Sequence, residues 1–493
     1  MRQPTSAVLK MEVTKDPTLQ EILVALSFAL DLTEGAVPGH AIRCSLLGMR
    51  IALEAGVSRY DLPDLYHASL LKDVGCSSNS ARFCAIVGGD DRAIKAGAKL
   101  SDWTKSIQDP ATMKMLWKEV LPGAPAWRKA ARLARMAITQ QTNNRQVIEI
   151  RCDRGATIVR KLGLPNPVVL GVRHLDEHWD GGGYPDGLKK HDIPLISRLM
   201  LVAQHLDAFG MERGEQAAID SLKERAGRWY DPSLVRAAQS LHKRDWLFQH
   251  CRASDPIEQA KAAILQAHPG GQTILSAPDI DNLCETFAWV VDAKSPFTFR
   301  HSVGVMDAAM AIGNTLGLSP QRMQVLRRAA LLHDVGKLGI SNTILDKPTR
   351  LTDEEFTLVK SHPRMSQEIL GHIDAFQEIA VLAGEHHEKL DGSGYPNRLR
   401  AEDLSLESRL LAVADIYGAL SEDRPYRAGL SPAQIQGIMD RDIPMKLDPV
   451  CYDALRSVMD DLAAANRTIQ HIPDTSWSPE QGAYTDNYSE AYI

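Results

Sequence analysis

Histidine and aspartate residues are concentrated in two short segments of the second half of the chain. His333 and Asp334 are adjacent and are followed by Val-Gly-Lys, and residues 386–396 read His-His-Glu-Lys-Leu-Asp-Gly-Ser-Gly-Tyr-Pro. An adjacent His-Asp pair offers a metal two different ligands, and a carboxylate can also bridge to a second metal. With two more histidines 53 and 54 residues after His333, the sequence predicts a metal-dependent hydrolase with most of a dinuclear centre.

Length and composition narrow the class of protein. The 493 residues suggest two domains, and 44% hydrophobic with 24% charged residues is typical of a globular protein. A net charge of −6 argues against a broad polybasic surface, so a nucleic acid polymer is not an expected partner. The sequence contains no apolar run of membrane-spanning or signal-peptide length. We therefore expect a cytoplasmic protein without a membrane partner, and its seven scattered cysteines indicate free thiols.

The two halves of the chain repeat one pattern. In the second half His301 lies 32 residues before His333, and in the first half His40 lies 32 residues before Lys72. The matching segments are 70–76 (LLKDVGC) with 331–337 (LLHDVGK), and 180–185 (DGGGYP) with 391–396 (DGSGYP). Several matches in the same order indicate an internal repeat of one domain.

The copies differ in length at one place. Asp334 to Tyr395 spans 61 residues, whereas Asp73 to Tyr184 spans 111. The first copy therefore carries about fifty extra residues, which we place within about 77–140.

Apolar residues at three- and four-residue spacing predict helices, and period-two strand patterns are scarce. The sequence therefore predicts an all-α protein of two tandem helical bundles joined by a helical linker. The predicted helices include 303–317, 321–333, 353–371 and 375–387, with 111–120 and 126–139 in the insertion and 256–267 as the connection. The predicted domains are 1–250, a linker over 251–280, a second domain over 281–465, and a polar, flexible tail over 466–493.

The second copy resembles the HD-GYP subgroup of HD-domain phosphohydrolases over roughly residues 280–465, because it combines the His-Asp pair with the HHExxDGxGYP pattern. The resemblance implies a cyclic dinucleotide phosphodiesterase with two divalent metal ions, in which Asp334 is the bridging carboxylate. Imidazole and carboxylate ligands without a thiolate suit iron or manganese, with other divalent metals as alternatives. The residues that match the family's metal-ligand positions are His301, His333, Asp334, His362, His386, His387 and Asp415.

The resemblance also implies roles around the substrate. Lys337 matches the family lysine that contacts the phosphate, where a fixed cation would stabilise transition-state charge. Arg424 and Arg427 match positions that grip the phosphates of the cyclic dinucleotide, and Tyr395 lies in the loop expected to shape the substrate edge, with Asp391 organising that loop. Asp334 and Lys337 are thus the predicted catalytic residues.

Two positions depart from the family pattern. Some members bind a third metal through a Glu one helical turn before the first His, and Phe297 stands there in this chain. Phe cannot ligate, so the sequence favours two metals. Gly418 replaces an Asp that is common in the family, which changes the surroundings of the ligands.

The first copy lacks most of the ligands. His40 and Asp73 persist, but Lys72 stands where His333 stands in the second copy, and Arg151 stands at the position of His362. The other replacements are Cys76 for Lys337, Leu175 and Asp176 for the tandem histidines, and Gln204 for Asp415. Lys72 and Arg151 are expected to neutralise Asp73 in place of a metal. The first copy is therefore predicted to be a structural or regulatory domain, which could also support a homodimer.

The predicted activity is the hydrolysis of cyclic di-GMP to linear pGpG by a hydroxide held between two metals. A phosphodiesterase acting on 3′3′-cyclic GMP-AMP is the main alternative, since some HD-GYP enzymes prefer that substrate. A nucleotide phosphohydrolase of the wider HD superfamily and a non-catalytic signalling scaffold are further alternatives. The Gly-Tyr-Pro motif and the complete ligand set of the second copy argue against these two.

Overall fold

The first half of the molecule is a bundle of α-helices. The computed structural model describes residues 17–102, 110–138, 140–253, 255–269, 271–295, 300–347, 349–422 and 428–470. Twelve helices of the described part precede residue 250, namely α1 (Leu19–Thr33), α2 (His40–Glu54), α3 (Leu62–Leu71), α4 (Ser80–Val87), α5 (Asp91–Lys99), α6 (Pro110–Glu119), α7 (Ala126–Ile138), α8 (Gln140–Lys161), α9 (Asn166–Arg173), α10 (Leu195–Arg213), α11 (Glu215–Arg225) and α12 (Pro232–Lys243).

The second half is built in the same way after one connecting helix. Its helices are α13 (Pro256–Ala267), α14 (Ala277–Asp292), α15 (His301–Thr315), α16 (Pro320–Leu332), α17 (Asn342–Leu345), α18 (Asp353–Val359), α19 (His362–Leu370), α20 (Gln377–Glu385), α21 (Leu406–Ser421), α22 (Pro432–Met439) and α23 (Pro449–Gln470). The described residues contain isolated β-bridges but no strand. The all-α prediction is confirmed. No helix in the described part is long and apolar enough to span a bilayer.

The structure differs from the predicted helix boundaries in two instructive places. The run 353–371 is two helices, because Pro363 has no N–H to donate to the carbonyl four residues earlier, that of Val359. The chain turns there, and α19 begins at His362. At the other end of the domain, α23 continues to Gln470, five residues into the predicted tail, and the rest of that tail lies outside the described residues.

The two copies share one hydrophobic core. A continuous cluster of buried apolar residues extends from Ile22 in α1 to Met459 in α23. Helix α1 of the first copy packs against the 3₁₀ turn Val335–Gly339 of the second, the turn that directly follows His333 and Asp334. The first copy therefore supports the segment that carries the predicted catalytic residues.

Helices α4 to α7 lie within the predicted insertion and have a small core of their own. Val87, Ile94 and Val120 are its buried centre, and partly buried side chains of α4, α6 and α7 pack around them. In the described part of the second copy, the one-turn helix α17 is the only helix between its own 3₁₀ turn and α18. The insertion thus covers a face of the first copy that is built differently in the second.

Candidate metal centre

Five helices bring the seven predicted ligands together. His301 begins α15, His333 and Asp334 follow the end of α16, and His362 begins α19. His386 and His387 follow the end of α20, and Asp415 lies in the middle of α21. Six of the seven side chains are buried, and His387 is partly exposed. Because helix ends lie where the chain changes direction, side chains placed there can converge on one point from several directions.

The carboxylate of Asp334 lies between two groups of histidines. Its Oδ2 is 3.3 Å from Nε2 of His333 and 3.7 Å from Nε2 of His301. Its Oδ1 is 3.2 Å from Nε2 of His362 and 3.8 Å from Nε2 of His386. A carboxylate whose two oxygens face two separate donor groups has the geometry of a bridging ligand.

Asp415 divides its oxygens in a similar way. Its Oδ1 is 3.2 Å from Nε2 of His301 and 3.7 Å from Nε2 of His333, while Oδ2 is 3.6 Å from Nδ1 of His387. Two compact donor groups result, one of His301, His333 and Asp415 and one of His362, His386 and His387, each within 4.8 Å. Asp334 lies between them. The residues thus provide two adjacent places for a cation.

Backbone carbonyls orient three of the histidine rings. Nδ1 of His333 donates to the carbonyl of Ala330, that of His386 to Ala383, and that of His362 to Val359, each at 2.7 Å. These carbonyls are available because the last turn of a helix leaves its C=O groups without partners, and because Pro363 cannot bond to Val359. With the proton held on Nδ1, the Nε2 lone pair points into the site, which is the tautomer a metal requires.

The two groups of histidines differ in their electrostatics. Burial disfavours a charge on His333, but Asp334 and Asp415 raise its pKa to about 10, and Asp415 with Glu422 raises the pKa of His301 to about 9. Burial lowers the pKa of His387 to about 3. The carboxylates therefore attract positive charge to the His301 and His333 side and hold that side ready for a cation.

Two buried atoms at the centre fit the presence of a metal. Among the described residues, Nε2 of His333 and Oδ1 of Asp334 form no well-aligned hydrogen bond. An unsatisfied buried polar atom costs about 1–3 kcal/mol. Coordination to a divalent cation would satisfy both atoms, so the donor set fits the metal that the sequence implies.

The structure describes some of the residues that were predicted to contact the substrate. Nζ of Lys337 forms an ion pair with Asp334, and its side chain is 24% exposed at the mouth of the site. The ring of Tyr395 lies 4.8 Å from that of His387, measured between centroids. Asp391 accepts a hydrogen bond from the Ser393 N–H within the loop. The residues Arg424, Arg427 and Phe297 lie outside the described part of the chain.

Sequence reasoning missed Glu422. Its carboxylate lies 3.2 Å from Nδ1 of His301, so it orients this ring as the carbonyls orient the other three. Glu422 follows Asp415 by seven residues and comes directly after the last residue of α21, Ser421. That spacing was the available signal.

Glu388 is a second residue that sequence reasoning did not single out. It is 2% exposed, and its carboxylate accepts hydrogen bonds from the N–H groups of Asn397 at 2.6 Å and Leu399 at 3.0 Å. It therefore ties the loop that contains Tyr395 to the segment that contains His387. In the first copy Glu177 binds the equivalent loop through the N–H groups of Asp186, Gly187 and Leu188.

This equivalence allows a matched test of the loop. We expect Glu388→Gln to lower kcat/KM about ten- to a hundred-fold, because removal of a residue that orients a ligand segment typically has that effect. Both Glu388→Gln and Glu177→Gln should lower the free energy of unfolding by about 1–3 kcal/mol. Glu177→Gln should leave kcat/KM unchanged. Steady-state kinetics and thermal unfolding of both variants measure this. Equal kinetic effects of the two substitutions would show that Glu388 acts through stability alone.

Comparison with known proteins identifies the family of the chain. Residues 127–234 and 285–450 match the HD-domain family. The chain is 37% identical over 465 residues to 3′3′-cGAMP-specific phosphodiesterase 3 of Vibrio cholerae, covering 92% of this chain and 98% of that protein. The chain belongs to the HD-GYP family of metal-dependent phosphodiesterases.

Two further HD-GYP comparisons bear on the fold and the second copy. A crystal structure of a cyclic GMP-AMP specific phosphodiesterase of V. cholerae superposes with a TM-score of 0.60 at 32% identity, over 90% of this chain and 98% of that one. A cyclic di-GMP phosphodiesterase of Pseudomonas aeruginosa is 36% identical over 185 residues, which is 37% of this chain and 41% of that protein. The fold prediction is thus supported along nearly the whole chain.

The first HD-GYP copy is degenerate. Ion pairs lie at the positions that correspond to the ligand positions of the second copy. Lys72 pairs with Asp73, as expected from the sequence. The second cation in ion-pair contact with Asp73 is Lys99 of α5, with its Nζ 3.8 Å away. Arg151 pairs with Asp176 and acts on Asp73 as a more distant charge. The insertion thus supplies an ion-pair partner, a lysine that no position of the second copy matches.

Among the described histidines of the first copy, His40 belongs to a group that could hold a cation, with Cys44 and Asp207. Nδ1 of His40 donates to the carboxylate of Asp207 at 2.6 Å, and Arg43 also binds that carboxylate. The ring of His178 stacks on Trp229, and His205 bonds to the Leu201 carbonyl. Positive side chains or aromatic rings thus take the contacts that a metal would otherwise make.

Proposed function

We propose that this HD-GYP enzyme hydrolyses a cyclic dinucleotide and that 3′3′-cyclic GMP-AMP is its preferred substrate. The proposed substrate rests on the similarity to a phosphodiesterase named for 3′3′-cGAMP. This similarity covers 92% of the chain and therefore extends through the degenerate first copy. The similarity to a phosphodiesterase of cyclic di-GMP is confined to 37% of the chain. Cyclic di-GMP, the substrate first expected from the sequence, is the second candidate.

We propose two metal positions within the ligand set. One would be held by His301, His333 and Asp415, the other by His362, His386 and His387, with Asp334 shared between them. Imidazole and carboxylate donors favour iron or manganese. Bound there, the two cations would activate a water molecule at neutral pH and neutralise charge on the phosphate.

The other residues would position the substrate and the charge that develops on it. Lys337 is at the mouth of the site and already contacts Asp334, so its ammonium group can exchange that contact for a phosphate oxygen. Tyr395, beside His387, would form a wall for the nucleotide. In the reaction one phosphorus–oxygen ester bond breaks, the oxygen of water adds to phosphorus, and the leaving 3′ oxygen takes a proton. The product is the linear dinucleotide.

Incubation of the metal-reconstituted full chain with each cyclic dinucleotide tests this proposal. We expect kcat/KM for 3′3′-cyclic GMP-AMP to exceed that for cyclic di-GMP by about ten-fold or more, a discrimination that one base-specific contact can supply. A chelator should abolish turnover, and manganese should restore it. Chromatography of the products separates the outcomes: a preference for cyclic di-GMP would reassign the substrate, and hydrolysis that survives chelation would contradict the metal mechanism.

A further inference from the structure

The first copy contains a cavity of about 440 Å³ at the position where the second copy has its metal centre. This volume lies within the range of small-molecule binding sites. The positions that replace metal ligands, Arg151, Asp176 and Gln204, lie on its wall together with Cys76, the counterpart of Lys337. The cavity is therefore what remains of the substrate entrance after the chemistry was lost.

The insertion gives this cavity an apolar roof. Side chains from α4, α5, α6 and α7 line the cavity. The lining side chains that also belong to the small core of the insertion are apolar and form no strong hydrogen bonds. These lining residues are Phe83, Ile86, Ile94, Met115, Leu116 and Leu133. These six side chains offer no hydrogen bond to a nucleobase and suit a hydrocarbon chain, while Asn79, Ser101 and Thr112 are the uncharged polar side chains of the insertion in the lining. Methionines such as Met115 in this lining also adapt easily to a flexible chain.

The floor of the cavity is basic. Lys95, Lys99 and Arg151 line it, against the two carboxylates of Glu34 and Asp176, while burial lowers the pKa of His178 to about 3 and keeps that ring neutral. The Lys72–Asp73 pair behind the wall adds no net charge. The floor therefore has three basic side chains against these two carboxylates, and Lys95 also lies 3.6 Å from the carboxylate of Asp91.

Among these basic groups, Lys99 is the best placed to bind an anion. Its side chain is 13% exposed, and its Nζ lies 3.3 Å from Glu34 and 3.8 Å from Asp73. Among the described residues, however, this Nζ forms no well-aligned hydrogen bond. A buried ammonium group with unused donors can bind one more anionic oxygen.

We propose that this cavity binds an amphiphile with one anionic head group and an unbranched hydrocarbon chain, such as a long-chain carboxylate. The head group contacts Lys99 and Arg151 in the place of the lost metals, and the chain lies under the insertion helices. Helix α5 also reaches the catalytic copy, where Asp91 accepts hydrogen bonds from Ser341 Oγ at 3.1 Å and from the Asn342 N–H at 3.3 Å. The bound molecule thus contacts a helix that touches the segment just after Lys337.

Calorimetric titration of the full-length, metal-loaded protein with dodecanoate, below its micelle concentration, tests the site. We expect one dodecanoate per chain and an affinity about ten-fold or more above that for dodecan-1-ol, since a charge-assisted hydrogen bond contributes that much. Lys99→Gln should lower the affinity for dodecanoate about ten-fold, whereas Lys118→Gln, whose lysine is exposed on α6, should not change it. Ala98→Trp, which fills the cavity, should abolish binding.

Several results would overturn the proposal. Absence of saturable binding, or equal affinity for dodecanoate and dodecan-1-ol, would contradict the anionic head group. Unchanged binding by Ala98→Trp would place dodecanoate on the surface of the protein. Displacement of dodecanoate by 3′3′-cyclic GMP-AMP would make the cavity a nucleotide site. Circular dichroism of each variant confirms that a loss of binding is not a loss of folding, and Ala98→Trp provides the decision if Lys99→Gln fails to fold.

Discussion

Asp334→Ala is expected to lower turnover of the cyclic dinucleotide by on the order of a thousand-fold or more. The side chain offers one oxygen to the His301 and His333 side and the other to the His362 and His386 side. Its removal takes a ligand from both proposed metal positions at once and leaves the histidines without their shared negative charge. A thousand-fold loss corresponds to about 4 kcal/mol in the activation barrier. Product chromatography and elemental analysis of bound metal measure both consequences.

The first copy provides the control for this experiment. Lys72→Ala removes the residue that stands at the His333 position of the repeat, while Asp73 keeps Lys99 as a cationic neighbour. We expect this variant to retain metal content and turnover per folded molecule. If Asp334→Ala keeps its metal and its activity, the proposed centre is wrong. If Lys72→Ala loses metal as Asp334→Ala does, the metal centre depends on the first copy through the core that the two copies share.

Local motifs explain why the ligands could be predicted from the sequence. His333, Asp334, His386 and His387 belong to short segments whose residue types are informative by themselves, and the repeat shows which positions of the first copy correspond. The helices that carry them follow from apolar spacing. The arrangement of those helices in space is not a local property of the sequence. The division of the Asp334 oxygens between two histidine groups depends on four separate helix ends, those of α15, α16, α19 and α20.

The insertion shows the limit of this reasoning most clearly. Lys99 has no counterpart in the second copy, so comparison of the copies could not place it beside Asp73, and Arg151 was predicted there instead. By contrast, the break between α18 and α19 follows from Pro363, which apolar spacing alone does not register. Side chains from an inserted helix are thus the ones that comparison of the two copies misplaces.

Gly336→Ala should be the most damaging substitution that removes no functional group. A Cβ at this position would lie well inside van der Waals contact with the carbonyl oxygen of His362 and 2.8 Å from the backbone nitrogen of Ser366. The Gly336 N–H also donates to Ser366 Oγ at 2.9 Å. The clash must therefore push α19 away from the turn that carries Lys337. A misplacement of about 1 Å can cost about a hundred-fold in rate, so we expect kcat/KM to fall at least that much, with weaker metal binding.

Gly75→Ala places the same clash in the copy without a metal centre. A Cβ on Gly75 would meet the carbonyl oxygen of Arg151 and lie 2.7 Å from the backbone nitrogen of Gly155. Both variants should lose stability by a similar amount, because helix and turn are forced apart in each. Only Gly336→Ala should lose activity per folded molecule, since only there does the displaced helix begin with a ligand. Parallel losses of activity in the two variants would mean that the close helix contact serves folding alone and that His362 does not depend on it.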